Sequence, residues 1–404
     1  MTVPHSAEHP SERPAGPNTG PNADHSADDT GAIPTVNDTA RAPSEEPAEM
    51  PRRALILGES AMALDLEQAY KRMGFDTRIG AASIAEVFYP GIIVTSGDAE
   101  DTIETVEEVS QRVGAVVAPS VEACRHTADR MAVRKQANEE LGLPTLDYEF
   151  AATPQEMHDA VERIGYPCVV KAPTSKDGEG FSFVHSDADL ADAWRAADRG
   201  LGQGAVVERY IDFDFEATIL AARSIDPSTG ELATWFCEPI GTRHRDGKLV
   251  ESWQPAPLPE AAMDNARSIA ARIVGAMASC GIFSVEMFVS GDDVYFSQVT
   301  PRPSRDGLVT FVTQRINQFD LQARATQRLP IDSTLISPGA VRFLEGHPSQ
   351  AALAAAMAVE EVTVRMLGDG TLVLATADSA AEARQRTDEA VREIHKIDGK
   401  PGEN

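Results

Sequence analysis

At 404 residues and 42% hydrophobic content, the chain has the length for two or three domains and the composition of an ordinary soluble protein with a sizeable core. Its net charge of −27 excludes unaided binding to nucleic acid or to an anionic membrane, so an anionic substrate needs a local basic pocket. The four cysteines, Cys124, Cys168, Cys237 and Cys280, form no C-x-x-C pair, which points to free thiols in a reducing, cytoplasmic compartment. No apolar run approaches the roughly 20 residues of a membrane span. The N-terminus lacks the cationic start and apolar core of a secretory signal.

Residues 1–51 are rich in Pro, Ser, Asn, Asp and Ala and contain no aromatic residue. Such a segment cannot bury enough apolar surface to offset its conformational entropy, and disorder is expected. Order begins at Arg52. Ala54–Leu57 reads as a strand, Gly58–Ser60 as a turn, and Met62, Leu66, Ala69 and Met73 as one helical face closed by Gly74. Further strands are expected at 91–95 and 115–118, with a helix over Asp98–Val113 between them. The β-turn-α opening implies a doubly wound α/β domain, and the turn carries no dinucleotide-binding glycine pattern.

A helix is expected over 120–142, ended by Pro144. Ile164–Lys171 is a Gly-Tyr-Pro turn feeding a strand that ends in Lys171. A Gly-containing loop follows at 174–181, then a helix over 187–197 and a strand over 205–211. Segments 235–241 and 251–255 continue an antiparallel sheet, and 259–280 is an Ala-rich helix. Helix is expected over 308–329, strands over 340–344 and 362–376, and a capped helix over 379–396. Trp194 and Trp253 read as core residues, and His185, His244 and His347 as surface residues.

The most informative stretch is 281–307. Phe283, Val285, Met287 and Val289 alternate with Ser284, Glu286 and Phe288, a four-residue turn follows at 290–293, and Val294, Phe296 and Gln298 resume the alternation. This is a β-hairpin in which Glu286 and Gln298 are expected as cross-strand neighbours or near neighbours. Thr-Pro-Arg-Pro then ends the ladder, because proline has no N–H to donate.

A carboxylate on one strand, a second position one hairpin later, then Pro-Arg-Pro and a glycine resembles the metal-binding end of ATP-grasp enzymes. Within them, the phrases IGYPCVVK, FDFEATIL, ESWQP, FSVEMFVSGDDVYFSQVTPRP and GLVT resemble the formate-dependent phosphoribosylglycinamide formyltransferases, over most of residues 52–396. The resemblance implies an α/β (α+β) ATP-grasp fold. After a disordered tail (1–51) come an N-terminal doubly wound parallel-sheet domain (52–125) and a central antiparallel ATP-grasp domain (126–330). A small C-terminal β-rich domain (331–397) and a frayed end (398–404) follow.

The same resemblance implies ATP and Mg²⁺ as cofactors, a small carboxylate (formate) and an amine as substrates, and a cytoplasmic homodimer. It places ATP at Arg130, Lys171, Ser175, Gly178, Gly180, Glu208, Ile211 and Glu216. It places Mg²⁺ at Glu286 and Gln298, and the substrates near Arg302, Arg305 and Asp306; no catalytic residue is assigned. Gln298 stands where the family has a second carboxylate, and Glu179 lies in a loop where the family carries a cation, so both weigh against full activity. The acceptor positions diverge too: Ser60-Ala-Met62 replaces Gly-Glu-Leu, Ser120 replaces a glutamate, and Arg305 replaces an aspartate beside Asp306. The short 368–371 turn lacks a pair of arginines. A paralogue with another carboxylate and amine, or a non-catalytic nucleotide-binding protein, remains open beside the formyltransferase reading.

Overall fold

The computed structural model describes residues 52–174, 180–245, 247–368 and 370–399. The expected tail (1–51), residues 400–404 and the loop positions Ser175, Gly178 and Glu179 lie outside the described residues; of the end expected to fray (398–404), Asp398 is the last helical residue and Gly399 its cap. The first unit is a parallel sheet of order β2-β1-β3-β4, built from β1 (Arg53–Leu57), β2 (Asp76–Gly80), β3 (Ile92–Thr95) and β4 (Val116–Ala118). Its helices are α1 (Ala61–Arg72), α2 (Ala85–Phe88) and α3 (Ile103–Val113). Leu55, Leu57 and Ile93 pack towards α3, while Ala54, Ile56 and Val94 pack towards α1, so each strand buries both faces. Strand β2 carries alternating exposed polar residues and gave no apolar run to detect.

The expected helix at 98–113 starts later, at Ile103, with Thr102 accepting from the Thr105 N–H. Asp98 stays outside it because its carboxylate accepts the backbone N–H groups of Glu59 and Ser60, at 2.9 and 2.8 Å. The expected helix over 120–142 is broken into α4 (Val121–Ala128) and α5 (Arg130–Lys135), followed by a π-helical turn at Gln136–Glu140. Asp129 adopts extended geometry at the break and caps α5 through the Met131 N–H. Arg130 is thereby the first residue of a new helix.

The second sheet has order β5-β8-β6-β7, from β5 (Tyr148–Ala151), β6 (Cys168–Lys171), β7 (Ser182–Val184) and β8 (Ala205–Arg209). Helices α6 (Pro154–Ile164) and α7 (Leu190–Asp198) cover one face, with Trp194 against the cluster. The third sheet holds β9 (Phe215–Ile225), β10 (Leu232–Phe236), β11 (Ile240–Arg245), β12 (Lys248–Gln254), β13 (Gly281–Ser290) and β14 (Asp293–Thr300). Helix α8 (Glu260–Gly275) covers β9 and β13, its alanines letting it lie close on Phe283, Val285 and Met287.

The expected helix at 308–329 is also broken, into a 3-10 turn at Asp306–Val309, α9 (Thr310–Thr313) and α10 (Gln318–Thr326). Gln314 is extended, and Asn317 starts α10 as its cap. Strand β15 (Gly339–Glu345), α11 (Gln350–Ala356), β16 (Val362–Leu367), β17 (Gly370–Thr376) and α12 (Ala380–Asp398) complete the chain. The large sheet runs β14-β13-β9-β11-β12-β15-β17-β16, so the C-terminal strands extend it through the β12·β15 pairing.

One buried charge cluster ties three of these pieces together. Arg134 on α5 donates Nη2 to Glu208 Oε1 at 2.5 Å and Nη1 to the Phe296 carbonyl at 2.9 Å. Lys171 Nζ takes the other Glu208 oxygen at 2.6 Å. Burial pushes the Glu208 carboxyl up, but Arg134 and Lys171 outweigh it and hold the group down at about 2. A lowered folded pKa contributes stability above the unfolded value of 4.5, and that contribution is lost as pH falls from there towards 2. Glu208→Gln leaves Arg134 buried beside a neutral partner. It should cost about 3 kcal/mol in denaturant unfolding at pH 7, and the gap to wild type should close between pH 5 and pH 2. An unchanged gap across that range would show that Glu208 does not carry the charge balance.

Candidate active site

A cleft of about 2440 Å³ opens between the three sheets. Its walls include the C-terminal ends of β1 and β3, where ligands of open α/β sheets gather. Of the expected site residues, Arg130, Lys171, Glu208, Ile211, Glu216, Glu286, Gln298, Arg302, Arg305 and Asp306 all line it. Gly180 does not. Its φ of +73° and the 2.7 Å approach of Ala172 Cβ to where a Cβ would sit make it a packing glycine, with its carbonyl accepting from the Ala172 N–H. Ser120, which stands where the resemblance places an acceptor-binding glutamate, caps α4 and donates its N–H to Ser279 Oγ instead of lining the cleft.

The cationic end of the cleft is Lys171 and Arg130. Lys171 is the last residue of β6 and is held on Glu208. Burial lowers the pKa of Arg130, while Glu208 and Glu286 pull it up. Beside them lies an aromatic wall that the sequence reading missed: Phe183 meets Tyr210 edge-on at 4.8 Å, and Phe213 meets Phe288 at 4.9 Å. These rings come from three separate segments, so no local pattern announced them. Ile211 stands between Tyr210 and Phe213, where the chain leaves β8.

The acidic end is organised by strand register. Glu286 is paired with Gln298 on β14 and with Thr218 on β9, and a bulge between Glu286 and Met287 follows the pair. Directly opposed residues of antiparallel strands share a face, so Gln298, Glu286 and Thr218 form one row. Glu216, two residues earlier on β9, lies on the same face, opposite Thr242. Asp306 is 8% exposed and accepts from Thr218 Oγ1 at 2.7 Å. Burial and the neighbouring carboxylate of Asp306 push the Glu286 carboxyl up against the opposing pull of Arg130 and His244. Asp306 is likewise raised by burial, against the Thr218 hydrogen bond.

His244 was expected at the surface. It is exposed, on the cleft wall, with its Nδ1 in close contact with Glu216 Oε2 and its charge facing Asp306 and Glu286. Burial depresses its pKa, but Glu216 more than reverses this and the net shift is upward. Arg302 lies against Gly97 (φ +98°), where any Cβ would come within 2.2 Å of Arg302 Nε. That contact carries the Pro-Arg-Pro segment onto the loop after β3. Arg305 turns onto the Phe343 ring, 5.4 Å from its centroid. Ser60, Ala61 and Met62 line the opposite wall, with Ser60 capping α1.

A hard divalent cation needs oxygen ligands, and the donor set of Glu286, Gln298 and Asp306 supplies them on one face beside the cations that suit phosphates. Elsewhere, His158, Asp159 and Glu162 come within 4.8 Å of one another on α6; on a part-exposed helix face, such a trio is ordinary solvated polarity. His244→Ala removes the group that masks Glu216. If Glu216 receives the ribose hydroxyls, the variant should bind ATP more tightly at pH 6 than wild type and should show a flatter pH dependence of Kd between pH 6 and 8. Calorimetry with parallel slopes for both proteins would remove His244 from the nucleotide site.

Residues 136–319 match the ATP-grasp domain family. The chain is 41% identical over 375 residues to the formate-dependent phosphoribosylglycinamide formyltransferase of Corynebacterium efficiens, covering 83% of this chain and 93% of the relative. Its likeness to the protein of that name from Corynebacterium jeikeium is 42% over 379 residues, covering 84% and 92%. Among solved structures, the glycinamide-RNase-transformylase T of Mycobacterium tuberculosis matches with a TM-score of 0.72 and 31% identity, over 85% of this chain and 99% of that one. Identity at this level across both chains shows shared descent along nearly the whole fold: the chain belongs to the formate-dependent phosphoribosylglycinamide formyltransferase family, ATP-grasp enzymes that use ATP and Mg²⁺.

Proposed function

We propose that the enzyme uses ATP to activate formate and passes the formyl group to an amine, glycinamide ribonucleotide being the acceptor named for its relatives. The observation that carries this is the single cleft lined by Lys171 and Arg130 at one end and by Glu216, Glu286 and Asp306 at the other. The adenine lies along the aromatic wall beside Tyr210 and Ile211, where backbone groups leaving β8 read its edge. Glu216 accepts from the ribose hydroxyls once His244 yields it. Lys171 and Arg130 meet the phosphates, and Glu208 holds Lys171 in place.

Glu286 and the side-chain oxygens around it would hold Mg²⁺, which would supply charge neutralisation at the phosphates. A formate oxygen attacks the γ-phosphorus and the bond to the ADP oxygen breaks, giving formyl phosphate. The amine nitrogen then attacks the formyl carbon, phosphate departs and the amine loses a proton. The protein's part is positioning and charge neutralisation in a closed cleft.

A second reading, in which the acceptor is a different amine, is favoured by Ser60, Ala61, Met62 and Arg305. These line the cleft at positions where the family resemblance places acceptor contacts of other chemistry. We read the enzyme as a cytoplasmic homodimer. Among the described residues no helix is long and apolar enough to cross a membrane, and all four cysteines are free thiols.

Two measurements test these readings. Lys171→Ala should weaken ATP binding by about 1.5–3 kcal/mol, the value of a charge-assisted contact, in calorimetry, while Arg134 keeps Glu208 paired. Equal affinities would remove Lys171 from the phosphate site. ADP release by wild type should require formate and rise further with the true acceptor. Stimulation by glycinamide ribonucleotide supports the first reading; formate-dependent release that only another amine stimulates supports the second. Release indifferent to formate would sink both.

A further inference from the structure

Asp306 follows the Pro-Arg-Pro segment, outside the hairpin that carries Glu286 and Gln298, yet the fold returns it to their row. Thr218 is the direct partner of Glu286 on β9 and shares its face. Adjacent strands lie about 4.8 Å apart. Asp306 Oδ2 sits 2.7 Å from Thr218 Oγ1, so its carboxylate stands at the residue directly beside Glu286 in the sheet. The order along the face is Gln298, Glu286, then Asp306 above Thr218. The Asp306 backbone is fixed as well, its carbonyl accepting from Ser252 Oγ at 3.1 Å.

The side chain is only 8% exposed, and among the described residues its Oδ1 accepts no hydrogen bond. That oxygen is not sealed in protein, so it opens to the cleft, where it can take a donor or a cation. Gln298, on the other flank of Glu286, offers one neutral carbonyl oxygen and no charge. Arg305, next in sequence to Asp306, lies over the Phe343 ring, 5.4 Å from its centroid.

We propose that Asp306 and Glu286 form the carboxylate pair that binds the divalent cation accompanying the nucleotide, and that Gln298 supplies no charge to it. This rests on the ATP-dependent reading above. The second negative charge has moved from the hairpin's far strand to the turn after Pro-Arg-Pro.

The test uses the full chain, Mn²⁺ as the probe and electron paramagnetic resonance titration of free Mn²⁺ in the presence of ADP. Asp306→Asn and Glu286→Gln should each weaken Mn²⁺ binding at least about tenfold, the lower bound for disturbing even an outer partner of a metal site. Gln298→Glu alone should change it less than about threefold, since the pair is already complete, but should recover most of the loss when added to Asp306→Asn. Mn²⁺ affinity within about threefold of wild type in Asp306→Asn, or a tenfold gain from Gln298→Glu alone, would overturn the proposal. If Asp306→Asn fails to fold, as judged by its melting curve, the Gln298→Glu arm decides by itself. Metal-free ADP affinity is measured in parallel. Its absence in wild type would strike the nucleotide reading, which Mn²⁺ affinity alone does not address.

Discussion

The Glu208 carboxylate is the constraint on which the cleft depends. Two cations share it in a nearly dry setting, and each belongs to a different piece of the chain: Arg134 to α5, Lys171 to β6. A buried ion cluster of this kind is weak evidence for net stability, because desolvation opposes the Coulomb gain. Its effect here is geometric. Arg134 also holds the Phe296 carbonyl on β14, so the small sheet, the broken helix and the metal-end hairpin meet at one point. Lys171 is thereby aimed before any ligand arrives, which reduces the ordering that binding requires.

The acidic end obeys a different rule. Strand register puts Gln298, Glu286 and Thr218 in one row, and side-chain alternation brings Glu216 to the same face. These groups are close because hydrogen-bonded strands are close, whatever their charge. The resulting repulsion is relieved by His244 and Arg130. Opposite charges at the two ends suit a ligand that carries phosphates and cations together.

Much of this was legible in the chain. Alternation in 281–298 identified the hairpin and the Glu286–Gln298 pair, because a period of two and a tight turn leave one register. Lys171, Glu208, Glu216 and Glu286 were named through motif phrases, and all four line the cleft. The broken helices were not legible. Asp129 and Gln314 interrupt helical runs through local capping and extended backbone, and nothing in the apolar spacing records that. The Glu216 partner of His244 was not legible, because an isolated histidine on a polar strand reads the same whether it faces solvent or a carboxylate.

The sequence by itself determined the elements and their faces: parallel strands buried on both sides, an Ala-rich helix over the hairpin, and a ladder ended by prolines. These follow from local periodicity and from the missing proline N–H, which need no distant partner. Tertiary structure alone decided which distant residues meet. Asp306 reaches Thr218 across 88 positions, and Arg134 reaches Phe296 across 162. Such contacts depend on strand order in the large sheet and on the return of the chain after Pro-Arg-Pro. A linear pattern cannot encode them, because residues far apart in sequence become neighbours only when the whole sheet has closed.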